Sequence, residues 1–256
     1  MKSNQQQTIA SLGAGLLTGQ ISVVDCSGVL GPSTPLQHFG DQSGGQQPAV
    51  EIHKISEYDE DGPFFAWNWL KVGEHSGTHF DAPHTSESGR QYSDGSTETV
   101  DPQKLIAPAC VIDISQKCAE QPGCLLDVAD IEAWEAQNGS IPEKCWFLMH
   151  SGWDPASTGA DRDIHPGPTA DCIRYLIEKK IVGFGSDCLS TDAGNAGEMD
   201  PPYPAHHLLH AANRFGLASL ENLDRLPATG AILIAAPLKF TKGTGSPIRA
   251  MALVPA

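Results

Sequence analysis

Residues 74–84 read Glu74-His75-Ser76-Gly77-Thr78-His79-Phe80-Asp81-Ala82-Pro83-His84, which sets three histidines and an aspartate within ten positions. His75, His79 and Asp81 offer two imidazole nitrogens and a carboxylate, a ligand set that suits Zn2+ or Mn2+ and leaves coordination positions for water and substrate. One such histidine alone is accounted for by hydrogen bonds in a tight turn; three together point to a bound metal ion. A helix would put His75 and His79 on one face, but Gly77 and Pro83 favour a turn instead. The turn follows residues 64–72, where Phe65, Trp67 and Trp69 recur with period two and predict a strand whose rings pack in the core.

Outward from the loop, the chain reads as a mixture of helices and strands. Upstream, residues 8–17 are weakly helical and 21–25 form a first strand. Residues 30–48 are a long loop, punctuated by Gly31, Pro32, Pro35, Gly40, Gly44, Gly45 and Pro48, of the kind that covers a site. Residues 50–55 form another strand. Downstream, strands are expected at 109–114, 146–149, 181–185, 230–238 and 248–254, with helices at 128–138 (Asp127 as N-cap), 169–180 and 205–215. No tandem βαβ regularity of a Rossmann or barrel fold is visible, so the expected fold is an α/β, mixed-sheet single domain spanning residues 1–256.

Composition excludes several functions. The 26 glycines and 19 prolines speak against a helical bundle. A net charge of −15 opposes binding to nucleic acid or anionic membranes, whose affinity comes from cations on phosphates. The apolar runs at 9–17 and 231–238 fall far short of the roughly 20 residues that span a bilayer. Seven cysteines, an odd number without a CxxC pair, and no clear leader pattern favour reduced thiols in the cytoplasm.

At this point the sequence resembles the cyclase family of metal-dependent hydrolases, which includes bacterial kynurenine formamidases and isatin hydrolases. His75-Ser76-Gly77-Thr78-His79-Phe80-Asp81-Ala82-Pro83 matches most of the family pattern HxGTHxDxPxH. Gly185-Ser186-Asp187-Cys188-Leu189-Ser190-Thr191-Asp192 is similar to its D-x-x-S-x-D segment. Tyr203-Pro204-Ala205-His206-His207-Leu208-Leu209 is similar to its PAHxLL helix start, and Leu220-Glu221-Asn222-Leu223 to its LENL segment.

The resemblance implies a single swivelling β/β/α-like domain and a homodimer. It also implies that His206 and Glu221 hold a second ion bridged by Asp81, as in two-metal members. The last histidine of the pattern falls at Thr85, while His84 sits one place earlier. The general acid or base role carries over to His84, with Glu221 or His207 as alternatives. His150 stands where the family often has arginine, either hydrogen-bonded near the site or packed in the core.

The chemistry expected is metal-assisted hydrolysis of a carbonyl compound. Phe64, Phe65, Trp67 and Trp69 lead into the loop as candidate stacking surfaces for a flat aromatic substrate. Similarity of the loop and its approach to isatin hydrolases ranks an isatin-like cyclic amide first, ahead of N-formylkynurenine or a lactone. A reading from another class, suggested by Thr85, is a catalytically silent metal-binding protein.

Overall fold

The computed structural model describes residues 2–36, 47–154 and 164–256, so most of the loop expected at 30–48 lies outside the described residues. The chain begins with α1 (Lys2–Thr18), β1 (Ile21–Asp25), β2 (Glu51–Glu57), β3 (Ala66–Lys71) and β4 (His79–Asp81). It continues through β5 (Ile106–Asp113), α2 (Ser115–Glu120), β6 (Leu125–Leu126), α3 (Val128–Asn138), β7 (Trp146–His150), β8 (Gly167–Pro168), α4 (Ala170–Glu178) and β9 (Gly183–Ser186). It closes with α5 (Pro204–Ala211), β10 (Phe215–Ala218), β11 (Ala231–Ile234), β12 (Gly245–Pro247) and β13 (Met251–Pro255).

One nine-stranded mixed sheet, in the order β1-β13-β11-β5-β7-β9-β10-β4-β12, organises the domain. Its centre, β5-β7-β9-β10, is parallel, and the strands on either side of it pair antiparallel. The expected absence of βαβ regularity is corrected here, because helices join successive strands of this parallel block: α2 and α3 between β5 and β7, α4 between β7 and β9, and α5 between β9 and β10. The stretch expected as a helix over 205–215 ends at Ala211, and Phe215 instead opens β10. The sheet curls: Ser27, just past β1, bridges Leu220, just past β10, and the Glu221 amide donates to the Cys26 carbonyl at 3.0 Å.

Period-two alternation divides the core between the two faces of the sheet. Ala109, Val111, Trp146 and Leu148 point into the curl with Phe80, Phe215, Leu217 and Leu233. Cys110, Ile112, Phe147 and Met149 point the other way, against Ile131 and Trp134 of α3, Ile173 and Leu176 of α4 and Leu209 of α5. Phe147 is fully buried, and replacing such a ring by alanine costs about 3–5 kcal/mol. The helices are stopped and started by local chemistry. Asp127 caps α3 in a reciprocal capping box with Asp130, and the Thr169 side chain accepts from the Cys172 amide at the start of α4.

Two expectations are corrected. The rings of residues 64–72 are not core: Phe64, Phe65, Trp67 and Trp69 are all exposed. Strand β3 pairs with β2 alone, as a ribbon outside the large sheet, and among the described residues no further strand joins it. The seven cysteines are not all free thiols either, because Cys118 and Cys124 are joined as a disulfide between α2 and β6.

Candidate metal centre and the adjoining pocket

Gly77 adopts φ +59°, a left-handed conformation that a side chain disfavours, and so turns the chain between His75 and β4. Strand β4 then runs between β10 and β12, hydrogen-bonded on both sides, which fixes His79 and Asp81 on rigid backbone. His75, His79 and Asp81 each present a ligand atom, and the three atoms lie within 4.8 Å of one another. Asp81 is 1% exposed, and a Cβ on the facing Gly216 would stand 2.8 Å from its Oδ2, so glycine there leaves the carboxylate its room.

Hydrogen bonds set the tautomers. His79 Nδ1 donates to the Gly77 carbonyl at 2.8 Å, which leaves the Nε2 lone pair 3.5 Å from Asp81 Oδ1. His206, on α5, donates through Nδ1 to Asp192 Oδ2 at 2.6 Å and turns Nε2 towards Asp81 Oδ2 at 3.7 Å. His75 Nδ1 donates to Asp81 Oδ1 at 2.7 Å, and its Nε2 lies 3.1 Å from the Thr244 hydroxyl, which Glu74 holds in turn. Asp81 Oδ2 is buried without a hydrogen-bond partner among the described residues. An orphaned buried carboxylate oxygen beside imidazole nitrogens is what a divalent cation would satisfy, and the donor set fits one.

The electrostatics agree. Burial works to raise the Asp81 pKa, but His79, His75 and His206 override it and keep the carboxyl well below its usual range. Burial pushes the His79 imidazole down, towards the neutral form that binds metal. For His206 burial also opposes protonation, yet the bonded Asp192 and nearby Asp81 lift its pKa to about 9.

The remaining sequence candidates are placed differently. His84 Nε2 donates to the Tyr92 carbonyl at 2.7 Å, so its ring is turned to the 86–95 segment. Thr85 faces the other way, its hydroxyl donating to the carbonyl of Thr244, the residue that contacts His75. Glu221 is exposed and lines a pocket of about 410 Å³ together with Gly77 and Thr78, the back wall of the metal loop. None of Phe64, Phe65, Trp67 and Trp69 lines that pocket; its aromatic surface is Trp153. His150 lines it too, bonded to Asp187. Sequence reasoning gave no role to Asp192, Thr244 or Gly216. Asp192 alone had a signal, as the last residue of the quoted 185–192 segment.

The putative cyclase family matches residues 22–193. An isatin hydrolase of Roseibium aggregatum is 58% identical over 258 residues, covering 98% of each chain. A kynurenine formamidase of Bacillus mycoides is 30% identical over 185 residues, covering 71% of this chain and 77% of its own. The crystal structure of an isatin hydrolase bound to the product analogue thioisatinate superposes with a TM-score of 0.95 at 58% identity, over 98% of this chain and 99% of that one. With two thirds of its length matched and His75, His79 and Asp81 gathered as described, the chain belongs to the cyclase family of metal-dependent hydrolases.

Proposed function

We propose that this protein hydrolyses the C–N bond of a cyclic amide, opening an isatin-like lactam to an amino-substituted acid. The observation that carries the reading is the His75–His79–Asp81 cluster with its unpartnered Asp81 oxygen, in a chain 58% identical to an isatin hydrolase. A divalent cation there, Mn2+ or Zn2+ by its donor set, supplies Lewis acidity at the carbonyl and lowers the pKa of water. His75, His79 and Asp81 hold it, and Asp192 orients His206 beside them. Glu221 stands at the pocket wall rather than in the cluster, so one ion is the simpler occupancy. His84 is assigned to anchoring the 86–95 segment through Tyr92.

The pocket behind Gly77 and Thr78 takes the substrate, with Trp153 as a stacking face for a flat bicyclic ring. The exposed ribbon supports a homodimer. Five aromatic rings, Tyr58, Phe64, Phe65, Trp67 and Trp69, are 51–81% exposed. At roughly 200 Å² per ring that approaches the per-partner share of a standard interface. Five buried, unpaired cysteines support a cytoplasmic setting, and no described helix is long and apolar enough to cross a membrane.

The test is metal analysis of the purified protein, followed by turnover of isatin, N-formylkynurenine and small lactones with and without added Mn2+ or Zn2+. Isatin is expected to be the fastest substrate. N-formylkynurenine as the fastest would favour the second reading, which rests on the kynurenine formamidase relatives. Bound metal with no hydrolysis of any of them would sink both.

A further inference from the structure

The two histidines of the metal loop turn opposite nitrogens to the cluster. His79 gives Nδ1 to the Gly77 carbonyl and offers Nε2. His75 faces Asp81 Oδ1 with Nδ1, at 2.7 Å, and directs Nε2 to the Thr244 hydroxyl, at 3.1 Å. Which nitrogen of an imidazole binds a cation depends on which one keeps the ring proton, because the neutral ring carries only one. The partner of His75 Nε2 therefore decides whether Nδ1 has a lone pair to give.

That partner is fixed as an acceptor. The single proton of the Thr244 hydroxyl goes to Glu74 Oε2, which leaves the hydroxyl oxygen to receive a proton from His75. The same Glu74 oxygen accepts from the Thr244 amide at 2.9 Å and the Gly245 amide at 3.3 Å, so one carboxylate holds both the backbone and the hydroxyl. The Thr244 carbonyl is held in turn by the Ala82 amide at 2.9 Å and the Thr85 hydroxyl at 2.7 Å. Gly245 completes the cradle: a Cβ there would collide with Cε1 of His75 and stand 2.7 Å from its Nδ1.

We propose that Glu74 and Thr244 are positioning residues that select the metal-binding atom of His75. Thr244 keeps the ring proton on Nε2, Glu74 keeps the hydroxyl turned to receive it, and Nδ1 is left for the cation. The inference rests on the metal centre proposed above. The expected centre is mixed, with His75 bound through Nδ1 and His79 through Nε2. The Nδ1 proton that bonds Asp81 is released to solvent when a cation takes its place. Thr85 then has a task unlike that of the histidine the family pattern puts there: it braces Thr244 from the far end of the metal loop.

The experiment uses the whole protein, loaded with Zn2+ and labelled with heavy nitrogen in its histidine rings. Long-range proton–nitrogen NMR correlation separates the protonated from the metal-bound nitrogen of each ring. His75 is expected to carry its proton on Nε2 and His79 on Nδ1. A His75 ring protonated on Nδ1 overturns the proposal without any variant. Thr244→Val removes the acceptor at nearly constant shape and should weaken Zn2+ binding about 10- to 100-fold in a competition titration. Glu74→Ala, which frees the hydroxyl to donate, should weaken it in the same direction. Thr244→Ser keeps the hydroxyl and should restore the parent's affinity and its His75 signal. A Thr244→Val protein that binds Zn2+ as tightly as the parent, or a Thr244→Ser protein as weak as Thr244→Val, overturns this assignment alone. A parent that binds no Zn2+ overturns the metal centre and the assignment together.

Discussion

Strands β3 and β4 follow one another closely in the chain and meet opposite fates. The first carries Trp67, Trp69 and Leu70 and is exposed at every position; the second carries His79 and Asp81 and is buried at every position. Side-chain polarity alone would reverse them. Neighbours decide instead. Strand β4 has a hydrogen-bonded strand on each side and α5 close by, whereas β3 has only β2. Burial of charge-bearing groups in β4 is tolerated because each has a partner, except one Asp81 oxygen that has none among the described residues.

The sharpest way to break that contrast is Asp81→Ala. It should take turnover to background and bound metal to near zero, measured by assay and elemental analysis; retained metal would show that β4 is not the ligand strand. Asp192→Asn acts one step out, through His206, and should weaken metal affinity about 10- to 100-fold in a competition titration. Unchanged affinity would detach α5 from the centre.

Chelation should lower thermal stability. A cation at a hundred times its Kd contributes about 2.7 kcal/mol, or roughly 5–10 °C in Tm for a chain of this size. An identical Tm with and without metal would argue against a folded-state site on β4.

Acid should destabilise the protein through His210. Burial first, then nearby His206, holds its pKa down at about 3, while its Nδ1 lies 2.8 Å from the Ser86 hydroxyl. The unfolded imidazole takes a proton near pH 6.5 and the folded one does not. Stability therefore falls as pH drops below about 6.5, by up to roughly 1.4 kcal/mol per unit, until about pH 3. Denaturant melts of the parent and His210→Gln between pH 7 and 4 check this, with the flatter profile expected for the variant.

Trp67→Ser, on the exposed strand, should give the smallest change, within about 0.5 kcal/mol in stability of the monomer. Light scattering of the same variant reads the interface. A dimeric parent and a monomeric Trp67→Ser protein are expected, and a variant with unchanged mass would remove the ribbon from it.

What the sequence determined is what short range can encode. His75, Gly77, His79 and Asp81 lie within one turn and one short strand, so their spacing announces a ligand cluster before any fold is known. The N-caps Asp127 and Thr169 and the apolar alternation of β5 and β7 are local in the same way. Tertiary structure decided the rest. It hid β10 behind a helical pattern, left the aromatic ribbon in solvent, and turned His84 to Tyr92 while facing Thr85 to Thr244. It also brought Asp192, Gly216 and Thr244 to the centre from more than a hundred residues away. The reason is physical: which face of a strand is covered, and which loop meets which, depends on pairings between distant segments, and no local periodicity carries that information.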